Sequence, residues 1–249
     1  MRLMSSNNDS ANLGGLLRLP EAGQLLYKIM KVEDLLSSIC GSYLHFQRVD
    51  SYKDSPNADP HDGQQLDRDL ARNTASIFEK TADFSLADYF DRSRARTYAC
   101  CFSMENSDYI WHSYGNGSAV GKVCLAFQSD RLLAKLNYIM QSEAAAFEYH
   151  GVGYTNYLFI HGGVRCGPIF SLNYGEVSTS TAKPTKLMRV TLSNTYIKDK
   201  RRFSEEQEFR VSLSVPGMGR FVVAETQMDF PPSLQMQFDY HAAFADGTI

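Results

Sequence analysis

The stretch from Arg201 to Leu213 reads RRFSEEQEFRVSL. Glutamates crowd positions 205, 206 and 208, and the chain then alternates at once as a strand does. Side chains along a strand point to opposite faces with a period of two. A strand running from Glu206 puts Glu206, Glu208, Arg210 and Ser212 on one face and Gln207, Phe209, Val211 and Leu213 on the other. The second face carries the apolar residues and is the one expected to be buried, leaving the two carboxylates on an open face. Like charges this close raise one pKa or require a cation partner. Two readings follow: a solvated strand edge with Arg210 pairing one glutamate, or a carboxylate pair with divided roles, as in glycosyl transfer.

The rest of the chain bounds the choice. Its 249 residues suit one large domain or a domain with extensions. Residues 1–20 are polar and expected to be loose, and 21–249 are expected to form a single domain. With 43% hydrophobic and 12% aromatic residues there is ample material for a core. A formal net charge of −3 excludes a globally basic nucleic-acid binder but leaves room for a local basic patch. The five cysteines form no C-x-x-C pair, which fits a reducing compartment and packing roles. The opening MRLMSSNNDSANLGG has no apolar signal-peptide core, and no apolar run approaches the roughly 20 residues that a membrane span needs. The expectation is a cytoplasmic protein without membrane contact.

Periodicity orders the segments. LLYKIM (25–30) reads as a strand, KVEDLLSSICG as a short helix closed by Gly41, and SYLHFQRV as a second strand. A turn-rich loop and a charged helical region (about 64–91) follow. RTYACCFS (96–103) and AVGKVCLAF are apolar strands, with a short helix ending at a Gly-Asn-Gly turn between them. SDRLLAKLNYIMQSEAAA is an amphipathic helix. Further strands are expected at 147–154, 157–161, 187–193, 207–215 and 219–225. The class is α+β.

Most candidate constellations have ordinary explanations. His61, flanked by Asp59 and Asp62 in a Pro/Gly loop, fits a turn better than a metal site. No H-x-x-x-H or H-E-x-x-H spacing supports zinc, and no metal is expected. Cys100 and Cys101 read as buried strand residues, with a cysteine nucleophile as the alternative. Trp111 and Tyr114 lie three apart on one helical face, suited to core packing or to an aromatic shelf under a flat ring.

In order along the chain stand LLYKIM, LLSSICGSYLHFQRVDSYKD, YACCFS, IWHSYGNG, KVCLAF and FSEEQEFR. This series resembles a bacterial family known only as a domain of unknown function, often encoded near phage-defence genes. Its pattern is Leu-Tyr-Lys, Cys-Phe-Ser, Trp-x-x-Tyr, Val-Cys-Leu-x-Phe and Glu-x-Glu-aromatic-Arg. More distantly the series is similar to the cholera-toxin-type ADP-ribosyltransferases. That resemblance implies two abutting, mostly antiparallel sheets with flanking helices, and NAD as substrate. Lys28 takes the place of the toxins' strand arginine, as a point charge where arginine offers a planar fork. Ser103 takes that of the strand serine, and Glu206 and Glu208 those of the two glutamates. The longer stretch between Ser103 and Glu206 implies an insertion made of the helix near 129–145 and part of 155–185.

The resemblance also assigns roles. Cleaving the nicotinamide–ribose bond makes an oxocarbenium-like sugar, and a carboxylate facing that charge stabilises the transition state. Glu208 suits this task, Glu206 would orient or deprotonate the incoming nucleophile, and Ser103 would hold Glu208 in its rotamer. Tyr27, Lys28, Trp111 and Tyr114 are the candidate NAD contacts. Ser-Thr-Ser is itself a positioning element of NAD-cleaving enzymes, but STST at 178–181 is read as an exposed loop and a decoy. The loop NTYIKDKRRFS before the glutamates would read the acceptor through Arg201, Arg202 and Phe203, with Lys198, Lys200 and Tyr196 beside them. Such a loop suits a macromolecule, nucleic acid somewhat more than protein. A toxin or phage-defence role would bring an antitoxin or immunity partner. Plain NAD hydrolysis, or a binding module without catalysis, are the alternatives.

Overall fold

The computed structural model describes residues 17–54, 59, 62–65, 67–75, 85–141, 145–149, 152–155, 157–161, 164–168, 170–179, 196–198, 203–214, 221–223, 226–228 and 230–249. The elements run β1 (Leu25–Lys31), α1 (Val32–Gly41), β2 (Tyr43–Arg48), α2 (Asp67–Ala75), α3 (Leu86–Arg94) and β3 (Thr97–Ser103). Next come α4 (Asp108–Ser113), β4 (Lys122–Gln128), α5 (Ser129–Gln141), β5 (Ala145–Tyr149), β6 (Val152–Thr155), β7 (Tyr157–His161), β8 (Val164–Pro168) and β9 (Ser171–Glu176). The chain closes with β10 (Ser178–Thr179), β11 (Ile197–Lys198), β12 (Glu208–Ser214), β13 (Phe221–Val223), β14 (Thr226–Met228), β15 (Ser233–Gln237) and α6 (Tyr240–Ala245).

The class is α+β, built on a curled antiparallel sheet whose main path is β4-β1-β3-β2-β15-β5-β6, with β12 and β9 continuing from β3. The two abutting sheets expected from the sequence are therefore two limbs of one hydrogen-bonded sheet. Its fork is β3. Along one edge β3 pairs with β12 from Ser103↔Glu208 to Thr97↔Ser214. Along the other, β1 holds only the Ser103 end, at Tyr27, while β2 holds Ala99 and Tyr98, through Gln47 and Arg48. Between those grips the strands β1 and β2 diverge. An unpaired backbone carbonyl is costly when buried, and here a side chain meets it: Lys28 Nζ donates to the Cys101 carbonyl at 3.1 Å.

One continuous core packs against the sheet. Leu26, Phe46, Phe127, Phe209, Val211, Leu213, Leu234 and Met236 are fully buried there, each contributing about 1.5–3 kcal/mol of transfer free energy. Edge-to-face contacts join Phe102 to Phe127, and Phe127 through Phe238 to Tyr240. Leu132 and Leu136 of α5 belong to the same core. That helix is therefore part of the core that covers the sheet.

Several local expectations need correction. The helix α1 includes Gly41, and it is Ser42, at φ 53°, that takes the left-handed cap position. The charged region near 64–91 yields α2 and α3, the latter opened by a capping box in which Ser85 and Asp88 satisfy each other's backbone donors. Residues 17 and 18 are not loose: the Arg18 carbonyl accepts from Glu176 N at 2.8 Å, and Leu17 lies against Gly175 of β9. The strand expected at 187–193 lies outside the described residues. Strands β9 and β15 had no counterpart in the sequence reading. Among the described residues no helix is long and apolar enough to cross a membrane.

Candidate active site

The fork leaves a cleft of ≈ 230 Å³ between β1 and β2, floored by β3 and β12. Both glutamates line it, but not as neighbours on one strand face. Glu206 ends a 3₁₀ turn (Ser204–Glu206), Gln207 adopts a left-handed conformation at φ 43°, and β12 begins only at Glu208. The reversal at Gln207 breaks the period-two pattern, so Gln207 is exposed instead of sharing the apolar face. Phe209, Val211 and Leu213 do form that face. The opposite face is not open either: Glu208, Arg210, Ser212 and Ser214 are all buried, because β12 lies between β3 and β9 and is covered from above.

What covers it is charge. Arg210, with no exposed surface, donates from Nε to Glu208 Oε1 at 2.7 Å. Its two terminal nitrogens grip both oxygens of Asp62, at 2.8 and 2.7 Å. Lys198 Nζ sits 2.6 Å from Glu208 Oε2, 2.8 Å from Glu206 Oε2 and 3.8 Å from Asp62 Oδ2. The Tyr114 phenol donates to Glu206 Oε1. Among the described residues, three carboxylates of this cluster thus face two cations.

The two glutamates separate electrostatically. Burial opposes ionisation of Glu208, but the Arg210 guanidinium and the Lys198 ammonium outweigh it and hold its carboxyl well below the usual carboxylate range. For Glu206 burial prevails over the single Lys198 contact, and the neighbouring Glu208 charge adds to it, so its pKa is raised. One carboxylate stays ionised and the other is placed to exchange a proton, the division that acid–base chemistry uses. Burial alone would discharge Lys198, yet Glu208 and Asp62 keep its pKa well above the ordinary lysine value. It is an ammonium and not a nucleophile. Burial likewise pushes the Cys101 thiol up to about 12, with the Glu208 charge adding to the effect, so Cys101 is no thiolate nucleophile.

The other candidate residues divide. Tyr27, Ser103 and Glu208 stand in register on three adjacent strands, and all line the cleft. Ser103 does not hold the Glu208 side chain, as its place in the pattern implied. Its hydroxyl lies 2.8 Å from the Glu206 carbonyl and 2.7 Å from that of Glu105, tying down the turn that carries Glu206. Lys28 lines the cleft with its ammonium committed to Cys101 O and 5.2 Å from the centre of the Phe102 ring. Trp111 and Tyr114 do not share a face: α4 ends at Ser113, Tyr114 is extended and reaches Glu206, and Trp111 Nε1 bonds Asn106 outside the cleft.

The basic stretch before the glutamates is also divided. Lys198 and Tyr196 are buried, Tyr196 bonding Ser212 at 2.8 Å, so neither belongs to a solvated acceptor-reading loop. Phe203 lies under Lys198, its ring centre 5.0 Å from Nζ. Arg201, Arg202 and Lys200 lie outside the described residues, as do His61 and the second half of STST. Ser178 and Thr179 form a strand and not a loop, with Thr179 paired to Lys198.

Sequence reasoning missed Asp62 and Lys198 as members of the site. Lys198 carried a signal, since Tyr196 and Lys198 are two apart and face the same way. Asp62 carried none: its partner is 148 residues away. Among the described residues no group of His, Cys, Asp and Glu is arranged to hold a metal ion. Comparison with protein-family models, curated proteins and solved structures finds no match to this chain.

Proposed function

We propose that this protein transfers ADP-ribose from NAD to a macromolecular acceptor, nucleic acid more readily than protein, in the manner of a toxin or phage-defence effector. The observation that carries this reading is the register Tyr27–Ser103–Glu208 across β1, β3 and β12 at one end of a forked sheet, with Glu206 on the adjoining turn. The resemblance calls for a basic strand residue, a strand serine and the glutamates at one junction, and here Lys28, next to Tyr27, lines the same cleft as Ser103, Glu206 and Glu208.

The roles follow from the electrostatics. As the bond between nicotinamide and ribose lengthens, its electron pair leaves with the ring and positive charge develops on the sugar. Glu208, held ionised, is the group to face that charge. Glu206, whose carboxylate binds protons more readily, takes the proton that the acceptor nucleophile releases as its bond to the sugar forms. Tyr114 orients Glu206 through their hydrogen bond, and Ser103 fixes the turn below it. Tyr27 and Lys28 flank the cleft on the side where the rest of the dinucleotide would lie. Arg201 and Arg202 remain the proposed acceptor contacts.

A second reading has its own support. Glu208 is engaged by both Arg210 and Lys198, which suits a binding module whose carboxylates are structural. Nicotinamide release from NAD, followed with and without cell extract, separates the cases. Release together with labelled ADP-ribose on a macromolecule supports transfer. Release alone means hydrolysis, with water as acceptor. No release under either condition refutes an enzymatic role.

A further inference from the structure

The carboxylate pair already encloses a cation of the chain's own. Lys198 Nζ donates a hydrogen bond to Glu206 Oε2 at 2.8 Å, forms an ion pair with Glu208 Oε2 at 2.6 Å, and lies 3.8 Å from Asp62 Oδ2. The Phe203 ring closes the cage from another side, 5.0 Å from Nζ to the ring centre. An ammonium so placed is engaged by carboxylates of its own chain. The space it fills suits one positive charge.

The partners of this cage are not held alike. Arg210 belongs to β12, in the middle of the main sheet, and is locked by its paired bonds to Asp62. Lys198 comes from β11, a two-residue strand paired with the equally short β10, outside the main sheet. Elements with so few backbone bonds open at low free-energy cost. Glu208 Oε2 is buried and makes no aligned hydrogen bond, so the ion pair to Lys198 is its engagement toward the cleft.

We infer that Lys198 is a resident counter-ion occupying the subsite of a ligand's positive charge, and that a planar cation of the pyridinium class displaces it on binding. The choice of a pyridinium rests on the NAD reading; the cage of three carboxylates and an aromatic ring does not. When the ammonium withdraws it regains its hydration, and the negative charge left behind is met by the incoming ring. A neutral ring of the same shape offers no such compensation, so displacement makes the cleft selective for cations.

The test titrates the full chain and its Lys198→Met variant with 1-methylnicotinamide, permanently cationic, and with nicotinamide, its neutral analogue. The variant is expected to bind the cation at least about tenfold more tightly than the wild type, or about 1.4 kcal/mol. Its affinity for nicotinamide should stay unchanged, and Lys198→Arg should show no gain. No gain with Lys198→Met, or an equal gain for the neutral ring, overturns the inference. A second measurement needs no variant. The buried ammonium of wild-type Lys198 should give a protected Nζ–H resonance that is lost on saturation with 1-methylnicotinamide, and its survival at saturation overturns the inference as well. Nicotinamide release from NAD, measured in parallel, keeps the two ideas apart. Release without displacement sinks the counter-ion and leaves the proposed function; displacement without release does the reverse.

Discussion

Replacing Arg210 with methionine tests the charge cluster independently of any activity. Among the described residues the guanidinium makes three charge-assisted bonds, to Glu208 Oε1 and to both oxygens of Asp62, and it has no exposed surface. Bonds of this kind contribute about 1.5–3 kcal/mol each. Their sum overstates the loss, because methionine escapes the desolvation that arginine suffers. Removing one side of a buried ion pair, with the other left behind, costs about 3–5 kcal/mol. Glu208, Glu206 and Asp62 would then face Lys198 alone. Against a typical total of about 5–15 kcal/mol this is a severe loss.

The loss must also depend on pH. In the wild type the folded pKa of Glu208 is depressed, so its contribution is present above the ordinary value of 4.5 and fades as pH falls through the folded value. Without Arg210 only Lys198 opposes burial, as at Glu206, and the folded pKa of Glu208 is expected to rise above the unfolded one. Stability is then retained at low pH and lost as pH rises. The gap between wild type and Arg210→Met should therefore be wider at pH 8 than at pH 5. Urea unfolding followed by circular dichroism at both pH values measures it. Adding Asp62→Asn should recover about 1–2 kcal/mol, since the two positions are directly coupled. A loss under about 1 kcal/mol at pH 8, or one equal at both pH values, would refute the account of the cluster.

Three further outcomes are expected. Glu208→Gln should lower nicotinamide release from NAD by about 10²–10³. Because Glu208 is buried between two cations and not on an open face, the same variant should also melt at lower temperature; wild-type turnover would remove Glu208 from the mechanism. Ser103→Ala frees the turn that carries Glu206 and should reduce transfer at least about tenfold, with a stability cost of only about 1 kcal/mol; activity unchanged beside a normal melt would show the turn to be held by other contacts. Gln207→Val forces a β-branched residue into a left-handed conformation, at a cost of about 1–2 kcal/mol in thermal or urea unfolding, whereas an unaltered midpoint would argue against the bend that separates Glu206 from Glu208.

Local order was legible in the chain itself. LLYKIM, YACCFS and KVCLAF became β1, β3 and β4, and Phe209, Val211 and Leu213 face the core as their spacing requires. Period and apolarity act over neighbouring residues, so a sequence displays them directly. Strands β9 and β15 were less visible, because SLNYGE and SLQMQ lack a strong apolar run. The meaning of the glutamates was decided only in three dimensions. β9 flanks β12 and makes it an interior strand, and that burial turns a polar face into a desolvated one. Such a face survives only if other segments supply counter-charges and hydrogen bonds: Asp62 from a loop far up the chain, Lys198 from a strand of two residues, and the neutral Tyr114 phenol from beyond a helix end. Ion pairing depends on distance through space and on the exclusion of water, and the order of residues along the chain encodes neither.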